Sequence, residues 1–272
     1  MAGYRLRAFR DGDEVTEELA AAEWSLVADA ADGTVAGWAW LRSWTEDDGV
    51  HLFLTQGHVR AADRRRGLGG LLLDASEAAA VRLARQRRLG GTVMLGGNAD
   101  DGQDDRAALL TGRGYTRVLT MVWMRRDASP VPPRGLPEGV AVRPATVDDA
   151  GALWRLAQRA WAGRPFVRLP PEDRLRDWLH RSDRSSFLVA TAGERIVGFV
   201  AVQGDEVEDV AVDPDFQRRG LASALLTRAL VDLGGPARLR TEGHDPAGAR
   251  TLYEQLGFRV VSRHHRYRKP LR

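Results

Sequence analysis

Cysteine is absent from the 272-residue chain. That excludes disulfides, thiolate nucleophiles and cysteine-ligated zinc, so any acyl chemistry must avoid an acyl-cysteine. Long apolar runs are also missing. None approaches the ~20 residues that a membrane helix needs, and "MAGYRLRAFRDGDE" has no apolar stretch of the kind a secretory signal carries. A cytoplasmic protein with no membrane partner is therefore expected. Lysine is nearly absent, with Lys269 alone, so arginine carries the positive charge. The net charge is only +3, and the densest basic stretch, "SRHHRYRKPLR", reads as a solvated strand edge. No nucleic-acid partner is expected. No metal-ligand spacing stands out, so no metal is expected either.

What is present is a globular composition, 43% apolar and 28% charged. The length suits two domains. "DASPVPPRGLPEG", residues 127–139, holds four prolines and two glycines, which bars a helix or central strand. It divides the sequence into residues 1–126 and 140–272. The two parts repeat one pattern. Each has an opening strand ("YRLRAF", "VAVRPA"), an alternating run broken by glycine ("TVAGWAWL", "RIVGFVAV"), and a strand leading into an arginine-rich turn and helix. Each closes with a strand, a helix ending at glycine plus aromatic ("LLTGRGY", "LYEQLGF") and a last strand. A repeat of this length is a duplicated domain. "SFLVATAGERIVGFVAV" reads as an antiparallel hairpin turning at Gly193. The expected class is α+β, with two domains that are each a mixed, mainly antiparallel sheet flanked by helices. Between its first two strands the second half has room for two helices, and the first half for one short helix in "DGDEVTEELAAAE".

The repeated turn is the informative motif. "RAADRRRGLGGLLL" starts at Arg60 and "DPDFQRRGLASALL" starts 153 positions later, at Asp213. Both have the form R/Q-x-x-G-x-G/A between a strand and a helix. Main-chain N–H groups at a helix N-terminus lack internal partners, and the helix dipole adds partial positive charge. Small residues let an anion approach, so such a turn can cradle a pyrophosphate. Neither copy has G-K-[ST], and Gly67-Leu68-Gly69-Gly70 lacks the third glycine of the dinucleotide fingerprint.

"VAVDPDFQRRGLA" and "ARTLYEQLGF" resemble the GNAT superfamily of N-acetyltransferases, and the resemblance covers nearly the whole chain as a tandem of two such domains. It implies acetyl-CoA as co-substrate. Val210, Ala211 and Val212 would present backbone to the pantetheine arm. Gln217, Arg218, Arg219, Gly220, Leu221 and Ala222 would form the diphosphate loop, and Arg64, Arg65, Arg66, Gly67, Gly69 and Gly70 its first copy. Positions matching Glu206 and Glu208 carry the base or a water-relaying residue in the family, and a tyrosine at Tyr253 assists the leaving thiolate. Strand alternation would put Glu206, Glu208, Val210 and Val212 on one face. His244 is an auxiliary candidate. "HDPAGA" lacks the asparagine that the family often places there.

In the first half, Phe53 and Thr55 stand at the positions of Glu206 and Glu208, and Leu110 at that of Tyr253. The expectation is a silent first domain and direct transfer, in a ternary complex over the second, to a small-molecule amine. Trp154, Trp161, Phe166 and Trp178 would wall a partly apolar acceptor pocket. Helical spacing makes core packing the plainer role for them. The alternatives are a mycothiol synthase-like acetyltransferase, a tandem type catalytic only in its second domain, and a non-catalytic acyl-CoA-binding module. A monomer or homodimer is expected.

Overall fold

The computed structural model describes residues 3–10, 13, 22–46, 48–163, 169, 171–181, 187–244 and 248–271. Two compact units emerge, residues 1–120 with 264–272, and residues 121–263.

The first unit carries β1 (Arg5–Arg7), β2 (Trp24–Asp29), β3 (Val35–Thr45), β4 (His51–Val59), α1 (Leu68–Gln86), β5 (Val93–Asp100) and α2 (Asp104–Gly112). β1 to β4 pair antiparallel in sequence order, and β5 lies parallel to β4. On its other side β5 pairs with His264–Pro270, the end of the chain's last strand. α1 lays Leu68 and Leu72 on Ala28, Ala36 and Ala39. Farther along it joins Leu41, Phe53, Leu95 and Leu110 in a second apolar cluster. The short helix expected in residues 11–23 falls largely outside the described residues.

The second unit takes over β6 (Thr116–Arg126) at Met121. It continues through β7 (Val140–Pro144), α3 (Ala150–Ala160), α4 (Glu172–Arg181), β8 (Phe187–Ala192), β9 (Arg195–Gln203), β10 (Glu206–Val212), α5 (Leu221–Leu233), β11 (Ala237–Glu242), α6 (Ala249–Gln255) and the start of β12 (Arg259–Pro270). Its strand order is β6-β11-β10-β9-β8-β7. β10 and β11 are parallel and the other pairs antiparallel. The β8–β9 hairpin turns at Gly193, as expected, because the tight turn needs its φ of +58°. One face carries α5 and α6, with Leu221, Leu225 and Leu256 against Val200, Val207 and Leu239. The other carries α3 and α4, with Leu153, Leu156 and Leu179 on Phe187, Val189 and Phe199. Each unit is a sheet layered with helices, the α+β class.

The proline-rich segment runs without helix or strand from Asp127 to Pro137. Ser129 in it accepts hydrogen bonds from the fully buried Arg126 through its carbonyl at 2.7 Å and its hydroxyl at 2.8 Å. Arg126 also donates to the carbonyl of Leu256 at 3.1 Å. The last strands of the two sequence halves cross the boundaries of the units: β6 ends in the second unit and β12 in the first.

Candidate active site

The two arginine-rich turns share a backbone conformation. After each strand comes a short 3-10 turn, Ala61–Asp63 and Pro214–Phe216. An extended residue follows, Arg64 with ψ 158° and Gln217 with ψ 161°. The next arginine is left-handed, Arg65 and Arg218 both with φ +61°. Gly67 at φ +87° and Gly220 at φ +82° then cap α1 and α5. The first intrahelical bonds run from Leu71 to Gly67 and from Ala224 to Gly220. The N–H groups of residues 68–70 and 221–223 therefore project from the helix start, where an anion fits.

The side chains at the first motif position have a bracing role. Arg64 Nε donates to the carbonyl of Val59 at 3.1 Å, and Gln217 Nε2 to that of Val212 at 3.1 Å. Both reach back to the last residue of the preceding strand, so R or Q at this place tightens the turn. Asp213, buried, anchors the second turn by accepting from Arg195 at 2.6 Å and Arg159 at 3.2 Å. Arg219 lies over Phe216, 5.2 Å from its ring. Arg65 pairs with Asp105 at the start of α2. Arg66, Gly69 and Gly70 sit at or beside the start of α1, with Leu109 beside Gly69 and Arg113 beside Gly70.

Beyond the turns, the parallel strands splay. β10 pairs with β11 only at Glu206↔Arg238 and Val207↔Leu239, which leaves Glu208 to Val212 unpaired on that side. A bound extended chain can use those main-chain groups. In the first unit β4 and β5 stay paired through Thr55↔Gly97. A cavity of about 670 Å³ opens there, bordered by Thr55–Val59, by Gly67, Gly69 and Gly70, and by Gly102–Arg106. Its volume lies in the range of ligand sites.

The expected alternation along β10 fails at Glu208. Val207 faces Val202, but Asp209 faces Ala201, so Glu208 is the extra residue of a bulge. Val207, Val210 and Val212 consequently share the α5 face, although 207 and 210 are three apart. Glu206, opposite Gln203, and Asp209, opposite Ala201, turn toward the α3–α4 face. Glu206 does not lie beside Val210 and Val212 as strict alternation requires.

The three carboxylates differ. Glu206 is 12% exposed and ion-paired with Arg238 at 3.2 Å and Arg240 at 3.5 Å, with Arg240 stacked on Trp123. The Glu208 carboxyl is raised above its usual range by desolvation and by Glu206. Asp209, which sequence reasoning passed over, is pushed up to about 7 by desolvation and then by Glu208, with Arg240 opposing. The residue itself is exposed to solvent. Its signal in the sequence was a third acid in "EVEDV"; strict alternation separates it from Glu206, with which the bulge places it on one face.

Tyr253 lies on α6, half-buried, edge to face with Phe258 at 6.1 Å, on the α5–α6 side of the sheet. His244 is exposed in the turn after β11, and residues 245–247 of "HDPAGA" lie outside the described residues. Trp161 packs edge-on to Phe199 at 6.2 Å, and Trp178 on Phe187 at 5.0 Å. Both therefore serve the core of the α3–α4 face. Trp154 is half-buried on α3, and Phe166 is outside the described residues.

Comparison with known proteins decides the family. The profile of the acetyltransferase (GNAT) domain matches residues 183–260. A mycothiol acetyltransferase of Actinosynnema mirum is 33% identical over 84% of this chain and 78% of its own. The chain belongs to the GNAT acetyltransferases. A mycothiol acetyltransferase of Salinispora arenicola is 32% identical over 90% of this GNAT chain and 81% of its own. Among solved structures, a GCN5-related N-acetyltransferase from Sphaerobacter thermophilus superposes with a TM-score of 0.72 at 22% identity, over 91% of this chain and 81% of that one. A tandem GNAT protein from the clavulanic acid biosynthesis pathway gives 0.60 at 16% identity, over 92% and 83%. At those identities the likeness is one of fold. This chain is thus a tandem GNAT N-acetyltransferase. Among the described residues no helix is long and apolar enough to cross a membrane.

Proposed function

We propose that this GNAT enzyme is a mycothiol acetyltransferase, transferring acetyl from acetyl-CoA to the amine of a mycothiol precursor in its second unit. The observation that carries the acceptor is the run of relatives bearing that name at 30–33% identity over most of both chains. The second unit's geometry supports the chemistry.

The anion cradle fits a diphosphate: three outward N–H groups at the start of α5 follow a left-handed Arg218–Gly220 turn. The unpaired edge of β10 from Glu208 to Val212 offers main-chain partners for the arm. The co-substrate supplies an activated acyl carbon. The residues must manage protons and charge. An alkylammonium, with a pKa near ~10, gives up one proton before it attacks. Asp209, midpoint about 7, and Glu208 beside it are the bases poised to accept that proton near neutrality. Glu206, tied to Arg238 and Arg240, fixes the charge balance around them. As the C–N bond forms and the C–S bond breaks, a second proton leaves the nitrogen and ends on the departing sulfur. Tyr253 hydrogen-bonds that sulfur. A phenol near ~10 is a weaker acid than a thiol near ~8.5, so stabilising the thiolate is its larger part. The first unit is silent in transfer, with Phe53, Thr55 and Leu110 at the matching positions.

The test is acetylation of a purified mycothiol precursor, followed as the mass gain of one acetyl group, beside a panel of other amines. For thiol-free amines, CoA release is read with a thiol reagent, to which a cysteine-free enzyme adds no background. Faster turnover of another amine than of the precursor would replace the acceptor. No turnover with any amine, despite tight acetyl-CoA binding, would favour a binding module.

A further inference from the structure

Arg106, on the first turn of α2, is a half-buried guanidinium whose pKa desolvation lowers from its ordinary value. It donates through Nε to the carbonyl of Asn98 on β5, through Nη1 to Gly57 on β4 at 3.0 Å, and more weakly through Nη2 to Thr55 on β4 at 3.4 Å. It bridges the two strands where they part and borders the 670 Å³ cavity. Those carbonyls belong to residues at the end of the β4–β5 pairing or beyond it, so the fork supplies donors that a cross-strand neighbour would otherwise give.

Among the described residues, the second unit shows no such clasp. Aligning "RAALLTGRGY" with "ARTLYEQLGF" puts Ala249 opposite Arg106, and the spacing of the two turns puts Val210 opposite Gly57. Pairing of the parallel strands ends one position earlier there, at Val207, the match of Leu54. In the second unit the carbonyl of Val210 lies on the strand edge left for the arm. In the first unit Arg106 already engages its counterpart.

Resting on the cofactor reading above, we propose that Arg106 determines what the first unit recognises: the diphosphate–nucleotide end of the cofactor, with the strand edge that would bind the arm occupied by the guanidinium. The first unit then differs from the second in ligand as well as in catalytic residues. A nucleotide diphosphate without an acyl arm suits it as well as the acyl-CoA does.

The test uses the full chain carrying Gly220→Asp, which puts a carboxylate into the second cradle, and calorimetric titration with acetyl-CoA and with adenosine 3′-phosphate 5′-diphosphate. With Arg106 in place the two ligands should bind within about threefold of each other. Arg106→Ala, matching the second unit, should strengthen acetyl-CoA binding by about tenfold, one hydrogen bond's worth, and leave the nucleotide's affinity unchanged. Arg106→Met keeps the bulk without the donors and should give the same direction if the alanine variant folds poorly. A tenfold preference for acetyl-CoA with Arg106 present, an unchanged ligand ratio in both variants, or no binding of either ligand would overturn the proposal. Turnover of the chain with native Gly220 is measured alongside. Its absence would sink the transferase reading without touching the affinity ratio.

Discussion

Replacing Gly220 by alanine separates the backbone role of the second turn from its role toward an anion. Gly220 sits at φ +82°, and an added Cβ would meet no heavy atom within 4 Å. The stability loss is therefore conformational, not steric, and amounts to about 1 kcal/mol for an L-residue held at positive φ. For a protein of this size that lowers the unfolding midpoint by about 2–4 °C. The effect on the cofactor is larger. Relaxing residue 220 toward negative φ re-aims the N–H groups of residues 221–223, and each charge-assisted bond lost is worth about 1.5–3 kcal/mol. KM for acetyl-CoA should rise about 10- to 100-fold, with kcat changed far less. The assay is initial-rate kinetics over an acetyl-CoA series, with thermal unfolding on the same preparations. Gly67→Ala carries the same backbone cost in the first turn, where φ is +87° and the space is equally open, and should move KM by less than about threefold. If Gly220→Ala left KM within twofold of the parent, the turn would not be gripping the diphosphate and the second unit would lose its claim to the cofactor.

Asp209 should impose an acidic limb on kcat/KM near pH 7, activity rising as it loses its proton, and Asp209→Asn should lower the rate and flatten that limb. The same group shapes stability. Its folded pKa is raised above its ordinary 3.8, so the folded state holds the extra proton and stability falls as pH rises from about 4 to about 7. The ceiling on that penalty is about 4 kcal/mol. The side chain is open to water, so about 1–2 kcal/mol of it is expected to survive screening. Asp209→Asn should accordingly be more stable than the parent at pH 8 and equal to it near pH 3, as urea titrations would read. Tyr253→Phe should lower kcat about 10- to 100-fold with KM for acetyl-CoA within twofold; an unchanged kcat would return Tyr253 to a packing role beside Phe258. Arg126→Met should cost about 2–3 kcal/mol in denaturant unfolding, because it strands the buried carbonyl of Leu256 and removes the bonds to Ser129 while keeping the volume.

Much of this protein was legible from local chemistry. The two cradles could be read because a short turn, a left-handed arginine and a capping glycine are set within a few neighbouring residues, so a sequence match 153 positions apart carries a backbone match with it. Gly193 fixed its hairpin for the same reason. What depends on partners distant in the chain was not legible. The bulge at Glu208 exists only because β10 must register with β9 on both sides of it, and it turns Asp209 rather than Val210 toward the α3–α4 face. Arg106 reads as a surface residue of a polar helix start until β4 and β5 part beside it. Likewise "ARTLYEQLGF" and "RAALLTGRGY" look like two versions of one helix, and folding alone distinguishes a strand edge left open from one already clasped. Conformation within a turn is decided by sterics over a few bonds. Pairing, desolvation and the choice of hydrogen-bond partner are decided by what the rest of the chain brings alongside.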